Sequence, residues 1–210
     1  DFTGSNAFGE WLKEHCRQAQ VYAELAGVNN VIIESTDDYK GMLKNLAFTL
    51  ALYSGQMCTT TQAIIVPADG IETDEGHKSF DQIGADLGAA LDGLLAKPEI
   101  ATAVLGAIQS SDTLARLADA AALGEVVVAS RKIEHAEYPM AEVRTPIILK
   151  CDAADEGAYM QERFGPISFL VRVQNSTAAV ALSERLVHEH GALTVGLYST
   201  KPEIIDAVTT

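Results

Sequence analysis

Four short segments of the chain combine glycines with side chains that could bind or attack a small molecule. The first, FTGSNAFG at residues 2–9, leads from a strand end into a helix through Gly4 and Gly9, with Ser5 at the junction. Glycines permit a tight turn and close approach of a ligand. The free N–H groups of a first helical turn favour a phosphate. An ordinary strand-to-helix turn is the alternative interpretation.

The second segment, AELAG at residues 23–27, places the carboxylate of Glu24 at the end of an apolar run. Open α/β sheets hold ligands at strand ends. Partial burial there would raise the pKa of Glu24 towards the range of a general base. The alternative is a solvated loop carboxylate.

The third segment, SGQMCTT at residues 54–60, follows a strongly apolar helix and precedes an apolar strand. A thiol in such a loop can receive backbone N–H groups that stabilise its thiolate, and the same donors can bind a developing oxyanion. Cys58 is therefore a candidate nucleophile, and inert packing is the alternative.

The fourth segment, QERFGP at residues 161–166, is a turn that presents a carboxylate and an aromatic ring close together. Glu162 could accept hydrogen bonds from a ribose, and Phe164 could lie against a planar ring. The alternative is a plain turn in which Phe164 fills the core.

These segments lie between short apolar runs and amphipathic stretches that alternate along the chain. That pattern predicts an α/β fold, an open sheet with flanking crossover helices. The predicted strands are residues 1–3, 20–24, 31–34, 62–66, 125–129, 143–149, 167–173 and 193–198. The predicted helices are residues 6–19, 37–53, 75–95, 112–123, 177–190 and 202–208.

The composition limits the classes of partner that the chain can bind. Lys and Arg total 15 against 29 Asp and Glu, and the resulting charge of -14 repels nucleic acid and anionic membranes. No apolar run approaches the ~20 residues that cross a bilayer. The cysteines, Cys16, Cys58 and Cys151, are too widely spaced to predict a metal site, and unpaired thiols predict a cytoplasmic protein.

The order and spacing of the four segments resemble the aldehyde dehydrogenase family. The segments RTPI at residues 144–147 and HGAL at residues 190–193 are also similar to that family. The resemblance implies that Cys58 attacks an aldehyde and that Glu24 acts as a base. It implies NAD or NADP as cofactor, bound by Gly4, Ser5, Gly9, Leu25, Glu162 and Phe164.

The resemblance also predicts a reaction and a subgroup. A thiohemiacetal on Cys58 would lose hydride to the nicotinamide, and Glu24 would activate the water that hydrolyses the thioester. The segments at residues 24–29, 52–60 and 69–80 are similar to ring-opening aldehyde dehydrogenases of phenylacetic acid degradation, which oxidise the aldehyde formed after opening of a coenzyme A-linked ring product. Two alternatives are a coenzyme A-acylating aldehyde dehydrogenase and a non-catalytic interaction domain with a buried, unreactive Cys58.

The resemblance finally predicts how the chain is organised. Residues 1–35 would be the C-terminal tail of a Rossmann-like NAD(P)-binding domain. Residues 36–210 would form a catalytic domain that is incomplete at its C-terminus. The chain is thus expected to be a fragment of a homo-oligomeric enzyme and to be inactive when isolated.

Overall fold

The computed structural model describes residues 1–25 and 27–209, so Ala26 of the AELAG segment lies outside the described residues. The described strands are β1 (Phe2–Gly4), β2 (Ala23–Leu25), β3 (Asn30–Ile33), β4 (Ser35–Thr36), β5 (Ala63–Pro67), β6 (Glu72–Thr73), β7 (Glu125–Val128), β8 (Lys132–Ile133), β9 (Val143–Arg144), β10 (Ile147–Asp152), β11 (Ile167–Val173) and β12 (Val195–Tyr198).

The described helices are α1 (Asn6–His15), α2 (Tyr39–Ala51), α3 (Phe80–Leu94), α4 (Pro98–Val104), α5 (Ser111–Asp119), α6 (Glu156–Tyr159), α7 (Ser176–His190) and α8 (Pro202–Thr209). Two short turns, Leu52–Gly55 and Ala120–Leu123, follow α2 and α5. Among the described helices, none is long and apolar enough to cross a membrane.

A six-stranded mixed sheet in the order β12-β3-β5-β11-β10-β7 forms the centre of the chain. Its first five strands are parallel, and β7 pairs antiparallel with β10. The predicted α/β fold is confirmed.

Helices cover both faces of this sheet because successive strand residues point to opposite sides. In β5, Ile64 and Val66 pack in the core that contains α2 and α3. Ala63 and Ile65 pack in the core that contains α7. All four residues are fully buried, which explains why the strand reads as an uninterrupted apolar run.

A smaller parallel sheet stands apart from the large one. It consists of β1 and β2, joined through α1, with Gly4 opposite Leu25. β3 belongs to the large sheet, so strand pairing favours a division before Asn30 rather than near residue 35. The assignment of domains to the two parts stays a prediction.

Several predicted boundaries are wrong for local reasons. The helix predicted over 75–95 begins only at Phe80, because Ser79 and Gln82 form a capping box. The strand predicted over 143–149 is broken into β9 and β10 around Pro146, which has no N–H to donate. The helix predicted over 6–19 ends at His15. Two short helices, α4 and α6, were not predicted.

Gly9 explains how α1 sits on the small sheet. It is buried, and a Cβ at this position would lie 2.2 Å from a methyl carbon of Leu25. We therefore expect Gly9→Ala to lack the gain of about 0.5–1 kcal/mol that alanine brings inside a helix, because the Leu25 side chain must move aside. Urea unfolding measures this change.

Gly93→Ala is the matched control, because Gly93 also lies inside a helix but a Cβ there would meet nothing within 4 Å. That substitution should stabilise the protein by about 0.5–1 kcal/mol, since glycine loses more backbone entropy on folding than alanine. Equal effects at both positions would contradict the packing role of Gly9.

Candidate active site

One cavity of about 680 Å³ collects nearly all the side chains predicted to act together. Its size is typical of small-molecule sites. The predicted residues that line it are Gly4, Ser5, Glu24, Leu25, Cys58, Glu162 and Phe164. Gly9 is instead buried against Leu25, so its place in the structure is that of a helix-packing glycine.

The cavity lies where the two sheets face each other. Gly4 and Leu25 stand at the carboxyl ends of β1 and β2, and Glu24 directly precedes Leu25. Cys58 and Glu162 lie in the segments that lead into β5 and β11 of the large sheet. The site therefore combines the carboxyl edge of one sheet with the amino edge of the other.

The loop of Cys58 begins with an unusual backbone. Tyr53 and Ser54 have φ values of 51° and 53°, and Gly55 follows at 64°. Left-handed conformations are costly for residues with a side chain, so surrounding contacts must hold them. The buried Ser54 hydroxyl supplies one such contact, since it lies 2.9 Å from the Gly106 carbonyl oxygen and 2.8 Å from that of Arg144.

Gly55 brings the Cys58 loop against the QERFGP turn. A Cβ on Gly55 would lie 2.5 Å from the carbonyl oxygen of Gly165, closer than any real contact of that kind. Glycine fits here because it has no Cβ to collide with the Gly165 carbonyl and adopts the positive φ without strain. The thiol loop and the Glu162 turn are therefore fixed relative to each other by backbone contact.

The three thiols differ in their surroundings. Cys58 is exposed and borders the cavity. Cys151 is buried, and burial, with smaller contributions from Asp155 and Asp152, raises its pKa to about 12. Cys16 is half-buried at the end of α1. The exposure of Cys58 disagrees with the interaction-domain alternative, which expected this thiol to be buried.

The Glu162 carboxyl is half-buried, and burial raises its pKa, against the lowering effects of the Gly27 backbone N–H and the charge of Arg116. The segment around it is held by Gln62, a buried residue that leads into β5. The Gln62 side-chain amide donates to the carbonyls of Tyr159 and Gln161, both at 2.8 Å, and its oxygen accepts from the Arg163 N–H.

Phe164 is 37% exposed and borders the cavity, so the alternative that it fills the core is wrong. Arg116 of α5 holds its backbone: the guanidinium donates to the Phe164 carbonyl at 3.2 and 3.3 Å and to the Thr113 hydroxyl at 2.9 Å. The aromatic ring is thus presented to the cavity by a fixed backbone.

The start of α1 supplies hydrogen-bond donors at the same cavity. Within the described residues, the Ser5 side chain makes no hydrogen bond that caps α1, whereas α2, α3, α5 and α7 all have side-chain caps. The first-turn N–H groups of α1 are therefore available to an anion. With the Glu162 carboxylate and the Phe164 ring, the cavity suits a ligand with a phosphate, hydroxyls and a planar group.

Glu24 is exposed at the end of β2 and borders the same cavity as Cys58. Arg116 and His190 also line this cavity, but nothing in the sequence marked them as site residues. Arg116 lies in an ordinary amphipathic helix. His190 was noted only within the HGAL segment. In the part of the chain that the structure describes, no group of His, Cys, Asp and Glu could hold a metal ion.

The fold and the cavity describe an α/β protein with an exposed thiol and carboxylates around a small-molecule site. The chain belongs to the aldehyde dehydrogenase family, whose model matches residues 1–208. The resemblance that the motifs predicted is thus confirmed at the level of the family.

Individual relatives agree with this assignment. The crystal structure of an NAD-dependent aldehyde dehydrogenase from Burkholderia multivorans is 47% identical, with a TM-score of 0.96 over 99% of this chain and 37% of that one. A succinate-semialdehyde dehydrogenase [NADP(+)] from Deinococcus radiodurans is 29% identical over 86% of this chain and 37% of its own length. A lactaldehyde dehydrogenase from Methanococcus maripaludis is 25% identical, over 87% of this chain and 37% of its own length. The chain thus spans little more than a third of these relatives.

The raised pKa of Glu162 predicts a pH dependence of stability. As the pH rises above about 4.5, the unfolded chain ionises at Glu162 before the folded protein does. The parent should therefore lose stability relative to Glu162→Gln between pH 4.5 and the raised folded-state pKa. Urea unfolding of both proteins across this range measures the difference.

Glu34→Gln is a control of opposite sign. Burial of Glu34 raises its pKa, but hydrogen bonds from Lys201, Ser199 and Ser35 outweigh burial and lower it overall. Glu34 therefore contributes stability that is lost as the pH falls through its lowered pKa. The parent's free energy of unfolding, measured relative to each variant, should change with pH in opposite directions for Glu162→Gln and Glu34→Gln. A change in the same direction would contradict the assigned pKa shifts.

Proposed function

We propose that this chain carries the catalytic centre of an NAD(P)-dependent aldehyde dehydrogenase, which oxidises an aldehyde to a carboxylic acid through a thioester on Cys58. The proposal rests chiefly on one observation: the exposed Cys58 thiol shares a cavity with Glu24, Glu162 and Phe164. Membership of the family supports the same reaction.

The first step belongs to Cys58. Its thiolate adds to the aldehyde carbonyl carbon, and the carbonyl oxygen becomes an oxyanion within reach of backbone N–H groups such as that of Cys58 itself. The exposed position of the thiol allows the aldehyde to approach. The buried Cys151 thiol, with its raised pKa, cannot take this role.

The cofactor fits the remaining walls of the cavity. Gly4 and Ser5 at the start of α1 would hold the diphosphate, and Leu25 would contact the same ligand. Glu162 would accept hydrogen bonds from a ribose, with Phe164 beside the nicotinamide. Bound NAD(P) supplies the hydride acceptor that turns the thiohemiacetal into a thioester. An NAD-dependent relative and an NADP-dependent relative leave both dinucleotides open for this chain.

Glu24 completes the cycle. Its carboxylate takes a proton from water as the water oxygen attacks the thioester carbon. The carbon–sulfur bond then breaks, which releases the carboxylic acid and restores the Cys58 thiolate. A base at this position favours release of a free acid over transfer to coenzyme A.

As the finer assignment we propose the ring-opening aldehyde dehydrogenase of phenylacetic acid degradation, a cytoplasmic homo-oligomer that acts on the aldehyde formed after opening of a coenzyme A-linked ring product. The motif variants at residues 24–29, 52–60 and 69–80 support it. In this assignment the part with β1, α1 and β2 is the end of the NAD(P)-binding domain, and the large sheet is the catalytic domain.

Glu24→Gln tests the mechanism in the intact protein. Removal of the base should slow steady-state aldehyde oxidation by about 10²- to 10⁴-fold. A first burst of NAD(P)H should survive, because the steps before hydrolysis do not use Glu24. Stopped-flow absorbance measures both phases.

Two controls sharpen this test. Glu14→Gln removes an exposed carboxylate on α1 and should leave both phases unchanged, whereas Cys58→Ser should abolish the burst. A Glu24→Gln protein that retains full turnover would contradict the role of Glu24. Acyl-coenzyme A as the product would favour the acylating alternative.

A further inference from the structure

We propose that Asn29 is the positioning residue of the Cys58 loop and that it couples this loop to the turn at residues 191–194. The expected effect of Asn29 on turnover rests on the proposed function. The positioning role itself rests only on the contacts that Asn29 makes.

Asn29 is only 3% exposed, yet its side-chain amide is fully used. The Nδ2 group donates to the carbonyl oxygens of Cys58 at 2.7 Å and Thr60 at 3.2 Å. The Oδ1 atom accepts from the backbone N–H groups of Leu193 at 2.9 Å and Thr194 at 3.0 Å. One side chain therefore satisfies two carbonyls of the thiol loop and two N–H groups of the neighbouring turn.

Only a carboxamide can make this set of bonds. An amide nitrogen has two donors and an amide oxygen has two acceptor positions, which matches the four partners one for one. A carboxylate would keep the two bonds to Leu193 and Thr194 but would face the Cys58 and Thr60 carbonyls with an acceptor. An aliphatic side chain would lose all four.

The anchored carbonyl is that of Cys58 itself, so the bond restricts the backbone from which the thiol projects. The backbone of Asn29 is fixed in turn, because its carbonyl oxygen accepts from the N–H groups of Gln62 and Ala63 at 2.9 and 3.1 Å. The thiol loop is thus tied to the amino ends of β3 and β5. A displacement of about 1 Å at a reacting group can cost about 10²-fold in rate.

The Oδ1 atom of Asn29 binds a turn that directly follows a residue of the cavity lining. His190 borders the cavity and is followed by the turn that Asn29 holds. A bond from the Thr194 hydroxyl to the Thr59 carbonyl, at 3.3 Å, joins the same two segments. Asn29 therefore sets the distance between the thiol loop and this turn.

Asn30 provides a matched control. It is 1% exposed, but its Oδ1 atom accepts from the Ser183 hydroxyl of α7 at 2.6 Å, so its side chain bonds to α7 and not to a carbonyl of the thiol loop. Asn29→Ala and Asn30→Ala thus remove the same atoms from adjacent buried positions. Only the first should alter the Cys58 loop.

Hydrogen exchange in the intact protein without substrate tests the positioning directly. Asn29→Ala should speed amide exchange by about five- to tenfold in residues 56–60 and at Leu193 and Thr194, as expected for lost hydrogen bonds. Asn29→Asp should speed exchange in residues 56–60 and leave Leu193 and Thr194 protected. Asn30→Ala should change neither region. If Asn29→Ala fails to fold, the Asp variant carries the test.

Kinetics supply the second readout. Both Asn29 variants should lower kcat for aldehyde oxidation by about 10- to 100-fold, with the KM for NAD(P) changed less than about threefold, because Gln62 still holds the Glu162 segment. Equal exchange and equal kcat in the Asn29 and Asn30 variants would overturn the proposal. If the parent protein did not oxidise aldehydes, the proposed function would be overturned instead. The exchange data would still test the positioning role of Asn29.

Discussion

The backbone of Gly55 packs directly on the backbone of Gly165, and the rest of the site depends on this contact. A side chain at Gly55 would lie 2.5 Å from the Gly165 carbonyl oxygen, so the two segments meet without side chains between them. Cys58 follows one glycine by three residues, and Glu162 precedes the other by three. Their separation is therefore set by main-chain packing, which is stiffer than contact between long side chains.

Buried polar groups also fix the thiol loop and the Glu162 segment, in addition to the contact between Gly55 and Gly165. Ser54 ties the start of the thiol loop to the Gly106 and Arg144 carbonyls, and Gln62 ties the Glu162 segment to β5. These groups are nearly inaccessible to water, and their hydrogen bonds offset the cost of burying them. The exposed Cys58 thiol is in this way held in place by buried hydrogen-bonding groups.

The motifs predicted which residues meet around one cavity better than periodicity predicted the boundaries of the elements, and the roles of these residues stay predictions. Gly4, Ser5, Glu24, Cys58, Glu162 and Phe164 could be found because each stands in a short motif whose order and spacing resemble one family. Asn29, Gln62 and Arg116 could not, because they act through hydrogen bonds to backbone atoms far away in the chain, and no local pattern reports such contacts.

The strands and helices likewise divide into those that local sequence patterns predict and those that depend on tertiary contacts. β5 and β11 were predicted well, since continuous apolar runs of that length fit buried parallel strands. The helix predicted over 37–53 stops at Ala51, because Tyr53 and Ser54 adopt left-handed conformations that only tertiary contacts maintain. The four-residue helix α6 is too short to show any periodicity.

Mass spectrometry of the acid-quenched protein tests whether the thiol in the shared cavity forms the covalent intermediate. The intact protein is mixed with NAD(P) and an aldehyde, quenched during the first turnover and digested at low pH, where thioesters survive. We expect one acyl group, located on the peptide that contains Cys58. An acyl group on the Cys16 or Cys151 peptide, or turnover with no acylated peptide at all, would contradict it.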